Sequence, residues 1–246
     1  MKAIELLEKR YLNKYYHFLR SVEEELLEGF KTKEVIKDDW IGYYKSGSDF
    51  AVGAERIVYS LMNGRSIGIP NSCPVGSDLF FEVKDAFIHI DLKTVGASLE
   101  GKGNIGDFLR NIFVGTNQNS YRGNMVVNEE IREYVPSLPT RYNKDKSNEK
   151  ICLCYFITIL YDVDTLETLV INIICMPNGE LEPYYKNRVL SAGKNTDMTR
   201  FNFRKTTEFE LIGDNSKRIK VIYFNNEMKS EYLQKLKYFE DLYNLN

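Results

Sequence analysis

Apolar positions recur at helical spacing over residues 3–30. Ile4, Leu6, Leu7, Tyr11, Tyr15, Phe18, Leu19, Val22, Leu26 and Leu27 predict one long or two shorter amphipathic helices. Such a face serves as core or, equally, as a dimer surface. The turn-rich stretch Lys45-Ser46-Gly47-Ser48 leads to a predicted helix from Ala51 to Met62. Gly64 to Gly76, with Pro70 and Pro74, reads as a loop. The period then changes from helical to two. Leu79, Phe81, Val83, Ile88, Ile90 and Leu92 alternate on one face of two β-strands. Ile105, Phe108, Leu109 and Ile112 predict a helix over Asn104–Phe113. Ile151–Tyr161 and Thr168–Met176 are strongly apolar strand candidates, read as an antiparallel hairpin that extends the sheet. A polar-rich helix over Glu227–Leu245 closes the chain. The expected fold is α/β, a mixed central β-sheet with helices on both sides. No repeat or long linker divides it, so residues 1–246 are expected to form one domain.

The segment Gly76–Lys93 carries the chemistry. A two-residue turn at Lys84-Asp85 pairs Val83 with Ala86 and, further out, sets Asp78 opposite Asp91. Directly opposed residues share a face, with Cβ atoms roughly 4.5–5.5 Å apart. Lys93, two residues on, joins that face. Two opposed aspartates repel when both are ionised, and a bound dication relieves the repulsion. Mg²⁺ takes oxygen ligands, often one or two carboxylates completed by phosphate and water. A neighbouring lysine can touch a scissile phosphate or the attacking water. An ordinary solvated hairpin face is the bland alternative. Against it stand the uninterrupted apolar face and an aspartate in a strand interior.

The pattern of Asp78, twelve intervening residues, then Asp91-Leu92-Lys93 within Ile-His-Ile-Asp-Leu-Lys-Thr resembles the PD-(D/E)xK nuclease superfamily, and within it the type II restriction endonucleases. Ser77 stands where that superfamily often has proline. The resemblance implies a restriction-endonuclease-like fold, with Asp78 and Asp91 as metal ligands. It adds the main-chain carbonyl of Leu92 as a third ligand and makes Lys93 the catalytic lysine. Several such enzymes place a glutamate on the helix before the hairpin, which would bring Glu55 into the site. An acid in the first turns of a helix also has a plain explanation in the helix dipole.

Composition narrows the picture without changing it. The chain has 246 residues, 43% hydrophobic and 28% charged, with a formal net charge of −2. That balance argues mildly against a non-specific nucleic-acid binder, so positive charge must be clustered if DNA is the substrate. Residues 186–205 hold six lysines or arginines against one aspartate. There Lys194, Asn195, Arg200, Asn202 and Arg204 could follow a DNA backbone or enter the major groove. Asn117, Gln118, Asn119, Tyr121 and Arg122 form a second candidate recognition segment, with a plain polar loop as its alternative. The four cysteines include no CxxC pair and the histidines are only His17 and His89, which disfavours structural zinc and fits a reduced intracellular protein. His89 reads as solvated or hydrogen-bonded rather than as a catalytic base. The longest apolar run is too short to span a membrane, and the charged amino terminus is unlike a signal peptide.

These readings converge on a sequence-specific, Mg²⁺-dependent double-strand DNA endonuclease, and the resemblance implies that it leaves 5′-phosphate and 3′-hydroxyl ends. One active site per chain cutting a duplex implies a homodimer on a two-fold symmetric site, and the resemblance implies a bacterial or archaeal cytoplasm and a companion DNA methyltransferase. A repair nuclease or junction resolvase of the same superfamily, or an inactive DNA-binding protein on this fold, is the alternative.

Overall fold

The computed structural model describes residues 2–36, 38–39, 48–65, 67–71, 76–99, 105–127, 129–185, 189–192, 198–203 and 209–245. Helices α1 (Ala3–Ser21), α2 (Glu23–Val35) and α3 (Ser48–Met62) lead the chain. Strands β1 (Ile69–Pro70), β2 (Leu79–Glu82) and β3 (Ala86–Ala97) follow. A single helical turn, α4 (Ile105–Phe108), precedes β4 (Asn111–Gly115), β5 (Gly123–Val127), β6 (Glu130–Tyr134), β7 (Arg141–Tyr142), β8 (Lys150–Asp162) and β9 (Thr168–Met176). After the short α5 (Glu182–Tyr185) come β10 (Leu190–Ala192), β11 (Met198–Asn202) and β12 (Ile219–Phe224). Helices α6 (Ser230–Lys235) and α7 (Lys237–Asn244) complete it.

The central sheet runs β1-β2-β3-β8-β9-β12, with β7 on the flank of β8. Strands β3 and β8 pair in parallel along their length, and the other neighbours are antiparallel. The sheet is therefore mixed, as expected. A parallel pair needs a crossover, and the segment between β3 and β8 supplies it through β4–β7.

Even-numbered positions of β3, namely Ala86, Ile88, Ile90 and Leu92, pack with odd positions of β8 against α1, α2 and α3. The face of α1 thus serves the core. The opposite face of the sheet is covered by a second layer: the three-stranded β10-β11-β4 sheet, the β5-β6 ribbon and helices α6 and α7. Phe87, His89, Asp91 and Lys93 belong to this second face, so Asp91 is buried between two layers instead of lying on an open strand surface.

Three expectations are corrected. Asn104–Phe113 is not one helix: α4 ends at Phe108, and the β-branched and aromatic run Ile112-Phe113-Val114 pairs with β11. The Gly64–Gly76 loop contains β1, which lies on β2. The carboxy-terminal helix is broken at Leu236, whose side chain is fully buried.

A buried charge network was not foreseen. Glu5, Glu8 and Arg218 are each 0% exposed. Arg218 donates to Glu8 Oε2 at 2.7 Å, and the backbone N–H of Asn178 donates to Glu8 Oε1 at 2.7 Å. Tyr185 Oη and the N–H of Ile212 each donate to Glu5 Oε1 at 2.8 Å. Burial pushes the Glu8 carboxyl up while Arg218 holds it down. The network pins α1 to α5 and to the approach of β12. No helix among the described residues is long and apolar enough to cross a membrane.

Candidate active site

The hairpin has the register its sequence predicts. Leu79 pairs with Ile90, Phe81 with Ile88 and Glu82 with Phe87, and the N–H of Val83 donates to the Ala86 carbonyl at 3.0 Å. Lys84-Asp85 is the two-residue turn. It is tethered to α1, since Asp85 accepts from Arg10 at 2.7 Å and from Tyr11 Oη. Extended outward, this register sets Asp78 opposite Asp91. The ladder itself stops at Leu79. Beyond it, Asp78 Oδ2 accepts the N–H of Leu92 at 2.6 Å, in the place a strand neighbour would occupy. The N–H and C=O of one strand residue point to the same edge. The Leu92 carbonyl therefore faces Asp78 and not β8.

Asp91 is 3% exposed. Its Oδ1 accepts from Gln118 Nε2 at 3.0 Å, and its Oδ2 is ion-paired with Lys93 Nζ. Lys93 also stands 5.6 Å from the centre of the Phe156 ring. Burial pushes the Asp91 carboxyl up to about 7; Lys93 opposes the rise, and the charges of Asp78 and Glu55 add to it. Burial and the charge of Asp78 likewise raise Glu55, with Lys93 opposing. Asp78, Asp91, Glu55 and Lys93 therefore share one electrostatic neighbourhood at the end of the hairpin. Among the described residues no three His, Cys, Asp or Glu side chains converge on a metal position. The hard oxygens available are those of two opposed carboxylates, one outward main-chain carbonyl and a nearby glutamate. That donor set suits a hard divalent cation whose shell is completed by water and phosphate.

The remaining predicted residues divide. Asn119 and Tyr121, both in the candidate recognition segment, are buried and hold the fold. Asn119 donates to Tyr134 Oη at 2.6 Å and accepts from the N–H of Tyr121, whose ring packs edge-on to Phe201. Gln118 turns inward to Asp91. Asn117 and Arg122 are exposed, and Arg122 is ion-paired with Glu133 at 3.0 Å. Arg200 lies over the Phe113 ring at 4.2 Å, and Asn202 pairs with Asn111 across β11 and β4. Lys194, Asn195 and Arg204 lie outside the described residues. His89 is 1% exposed, between Ser77 Oγ at 3.2 Å and Tyr142 Oη at 2.9 Å, and parallel to the Tyr142 ring. It is hydrogen-bonded and not solvated. Sequence reasoning missed the contact between Gln118 and Asp91, for which no local pattern exists.

A mixed sheet whose hairpin ends in two opposed acids and a lysine, with a second β layer against the face that carries them, is the architecture of a restriction endonuclease. Restriction endonuclease BglI, solved bound to its DNA recognition sequence, superposes with a TM-score of 0.63 at 16% identity, covering 81% of this chain and 86% of its own. The tetrameric restriction endonuclease SfiI, solved bound to cognate DNA, gives 0.66 at 13% identity over 91% and 86%. The chain belongs to the MwoI family of type II restriction enzymes: residues 1–165 match the model of that enzyme's N-terminal domain and residues 168–224 that of its central domain. It is thus a sequence-specific DNA endonuclease, a site-specific deoxyribonuclease. A search of curated proteins gives no match. The two family models meet in the turn between β8 and β9, which pair directly in the central sheet.

Proposed function

We propose that this chain hydrolyses both strands of duplex DNA at a specific sequence in a Mg²⁺-dependent reaction, with Asp78, Asp91 and Lys93 as its catalytic set. The observation that carries the assignment is Asp91. A carboxylate enclosed between two β layers, facing a second aspartate and close to a glutamate, is unfavourable as an end in itself and is explained by a cation. Asp78, Asp91 and the Leu92 carbonyl would hold that cation, with Glu55 adjoining them. When bound, it supplies charge neutralisation at the scissile phosphate and activation of water. Lys93 brings the remaining positive charge. Its ammonium lies beside Asp91, where it can contact a phosphate oxygen and stabilise charge developing in the transition state. In-line attack by water at phosphorus leaves 5′-phosphate and 3′-hydroxyl ends.

One such hairpin per chain and two strands to cut support a homodimer on a two-fold symmetric site. In this reading residues 1–246 form one nuclease domain, and the β4-β11-β10 layer lies toward the DNA. Arg200 and Asn202, the exposed Asn117 and Arg122, and the undescribed Lys194, Asn195 and Arg204 are the groups for phosphate and base contacts. The enzyme works in a bacterial or archaeal cytoplasm beside a methyltransferase that protects the same sequence. Digestion of a sequenced plasmid with and without Mg²⁺, followed by mapping of the ends, tests the proposal. Discrete Mg²⁺-dependent cuts with 5′-phosphates are expected, and metal-independent or random cleavage would overturn it.

A further inference from the structure

Among the described residues, Gln118 is the side chain from the second β layer that hydrogen-bonds a proposed metal ligand, and both ends of its amide are used. Its Nε2 donates to Asp91 Oδ1 at 3.0 Å, while its Oε1 accepts the N–H of Gly115 at 2.8 Å. Gly115 is the last residue of β4, and its carbonyl accepts from Tyr134 Oη at 2.7 Å. Tyr134 in turn accepts from Asn119. The turn that carries Gln118 is thus fixed from both sides. The same turn touches the hairpin a second time. Gly76, at φ +74°, approaches Asn117 so closely that a Cβ there would fall 2.2 Å from Asn117 Nδ2. Two consecutive residues therefore meet the hairpin segment, Asn117 against Gly76 just ahead of β2 and Gln118 on Asp91 of β3.

A carboxylate at a strand interior can rotate about its terminal bond, and that torsion is broad. Fixing Oδ1 by a neutral donor sets the direction of Oδ2 without adding charge. A cationic donor in the same place would compete with a metal ion, and an acceptor would repel the carboxylate. A glutamine amide anchored at its far end meets both conditions. Outer partners of this kind orient ligands and typically affect metal affinity by about 10–100-fold.

We infer that Gln118 is a positioning residue for metal binding: it holds Asp91 in its ligating orientation and ties that orientation to strand β4. The inference rests on the reading of Asp91 as a metal ligand. Gln118 then acts on the cation and not on the DNA, contrary to the base-reading role its sequence context suggests.

The test compares wild type, Gln118→Met, Gln118→Leu and Asp91→Asn. Mn²⁺ binding to the DNA-free protein is followed by electron paramagnetic resonance. Single-turnover cleavage is measured against Mn²⁺ concentration, and affinity for a cognate duplex is measured without metal. For Gln118→Met the expected outcome is Mn²⁺ affinity and half-saturating Mn²⁺ weakened by about 10–100-fold. The maximal cleavage rate should recover to within a few-fold at saturating Mn²⁺, and metal-free DNA affinity should match wild type. A base-reading role predicts the reverse split. Wild-type Mn²⁺ binding by Gln118→Met overturns the inference, provided Asp91→Asn binds Mn²⁺ poorly. If Asp91→Asn itself binds Mn²⁺ normally, the metal-site reading fails first. Gln118→Leu repeats the test should the methionine variant melt below assay temperature, and unfolding of both overturns the inference in favour of a purely structural residue.

Discussion

Replacing Asp91 by asparagine should abolish cleavage and at the same time stabilise the metal-free protein. Raising an aspartate from its ordinary value of 3.8 to about 7 corresponds to about 4 kcal/mol against the charged form above pH 7. Asparagine has the same shape and no charge, and its carbonyl oxygen can still accept from Gln118. The attraction of Lys93 is already contained in the value of about 7; what asparagine adds is an amide N–H donor facing the Lys93 ammonium where Oδ2 stood, and a buried donor left unpaired costs about 1–2 kcal/mol. The net gain is about 2–3 kcal/mol, and a chain of this length converts each kcal/mol into roughly 2–4 °C. Asp91→Asn should therefore melt about 5–10 °C higher than wild type at pH 8 in a chelator. The sign follows from proton uptake. The folded protein holds a proton on Asp91 that the unfolded chain releases between about pH 4 and 7, so wild-type stability falls as pH rises through that window. The advantage of asparagine should be small at pH 4 and complete above pH 7. Added Mg²⁺ should narrow the gap at pH 8 by stabilising wild type alone. Scanning calorimetry across pH decides the matter. A variant that melts below wild type at pH 8, or a difference that does not change between pH 4 and 8, would refute the reasoning.

Other consequences are equally direct. Lys93→Ala keeps the carboxylates but removes the cation at the phosphate, and single-turnover cleavage should fall on the order of 10²-fold or more; near-normal rates would make Lys93 an ordinary surface lysine. Arg200→Ala should cost roughly 1–3 kcal/mol on the cognate duplex in Ca²⁺ and little on a scrambled one if the guanidinium reads a base. Equal weakening on both, with a salt slope shallower by about one, would assign it to phosphate instead. Arg218→Met leaves Glu5 and Glu8 buried without their cation and should cost about 3–5 kcal/mol, read as a melting temperature lower by about 10 °C; an unchanged melting temperature would show that the network is dispensable.

The hairpin was legible because its information is local. Alternation names the faces, the turn names the register, and the register sets Asp78 against Asp91. The β8-β9 hairpin and the two amino-terminal helices were legible for the same reason. Strand β4 was not, because Ile112-Phe113-Val114 becomes a strand only when β11 lies beside it, and a four-residue spacing imitates a helix. Leu6 shows the limit of hydropathy within α1. It is 52% exposed, while Glu5 and Glu8 occupy the buried stripe with Leu12, Tyr15 and Leu19. Distant partners make that arrangement tolerable: Arg218, Tyr185 and the backbone N–H groups of Asn178 and Ile212. The Asn117–Arg122 segment shows the same limit at the site. Its amides look like base readers, yet Gln118 and Asn119 are consumed by protein partners that lie 27 and 15 residues away.

Cleavage and binding measured together on one variant bear most directly on the active-site assignment. Wild type and Asp91→Asn are incubated in single turnover with a cognate duplex and Mg²⁺, and their affinities for the same duplex are measured in Ca²⁺. The assignment predicts discrete cutting by wild type and none by Asp91→Asn, with DNA affinity retained or tightened by the loss of a negative charge near phosphate. Cleavage by Asp91→Asn at more than a few per cent of the wild-type rate would contradict it.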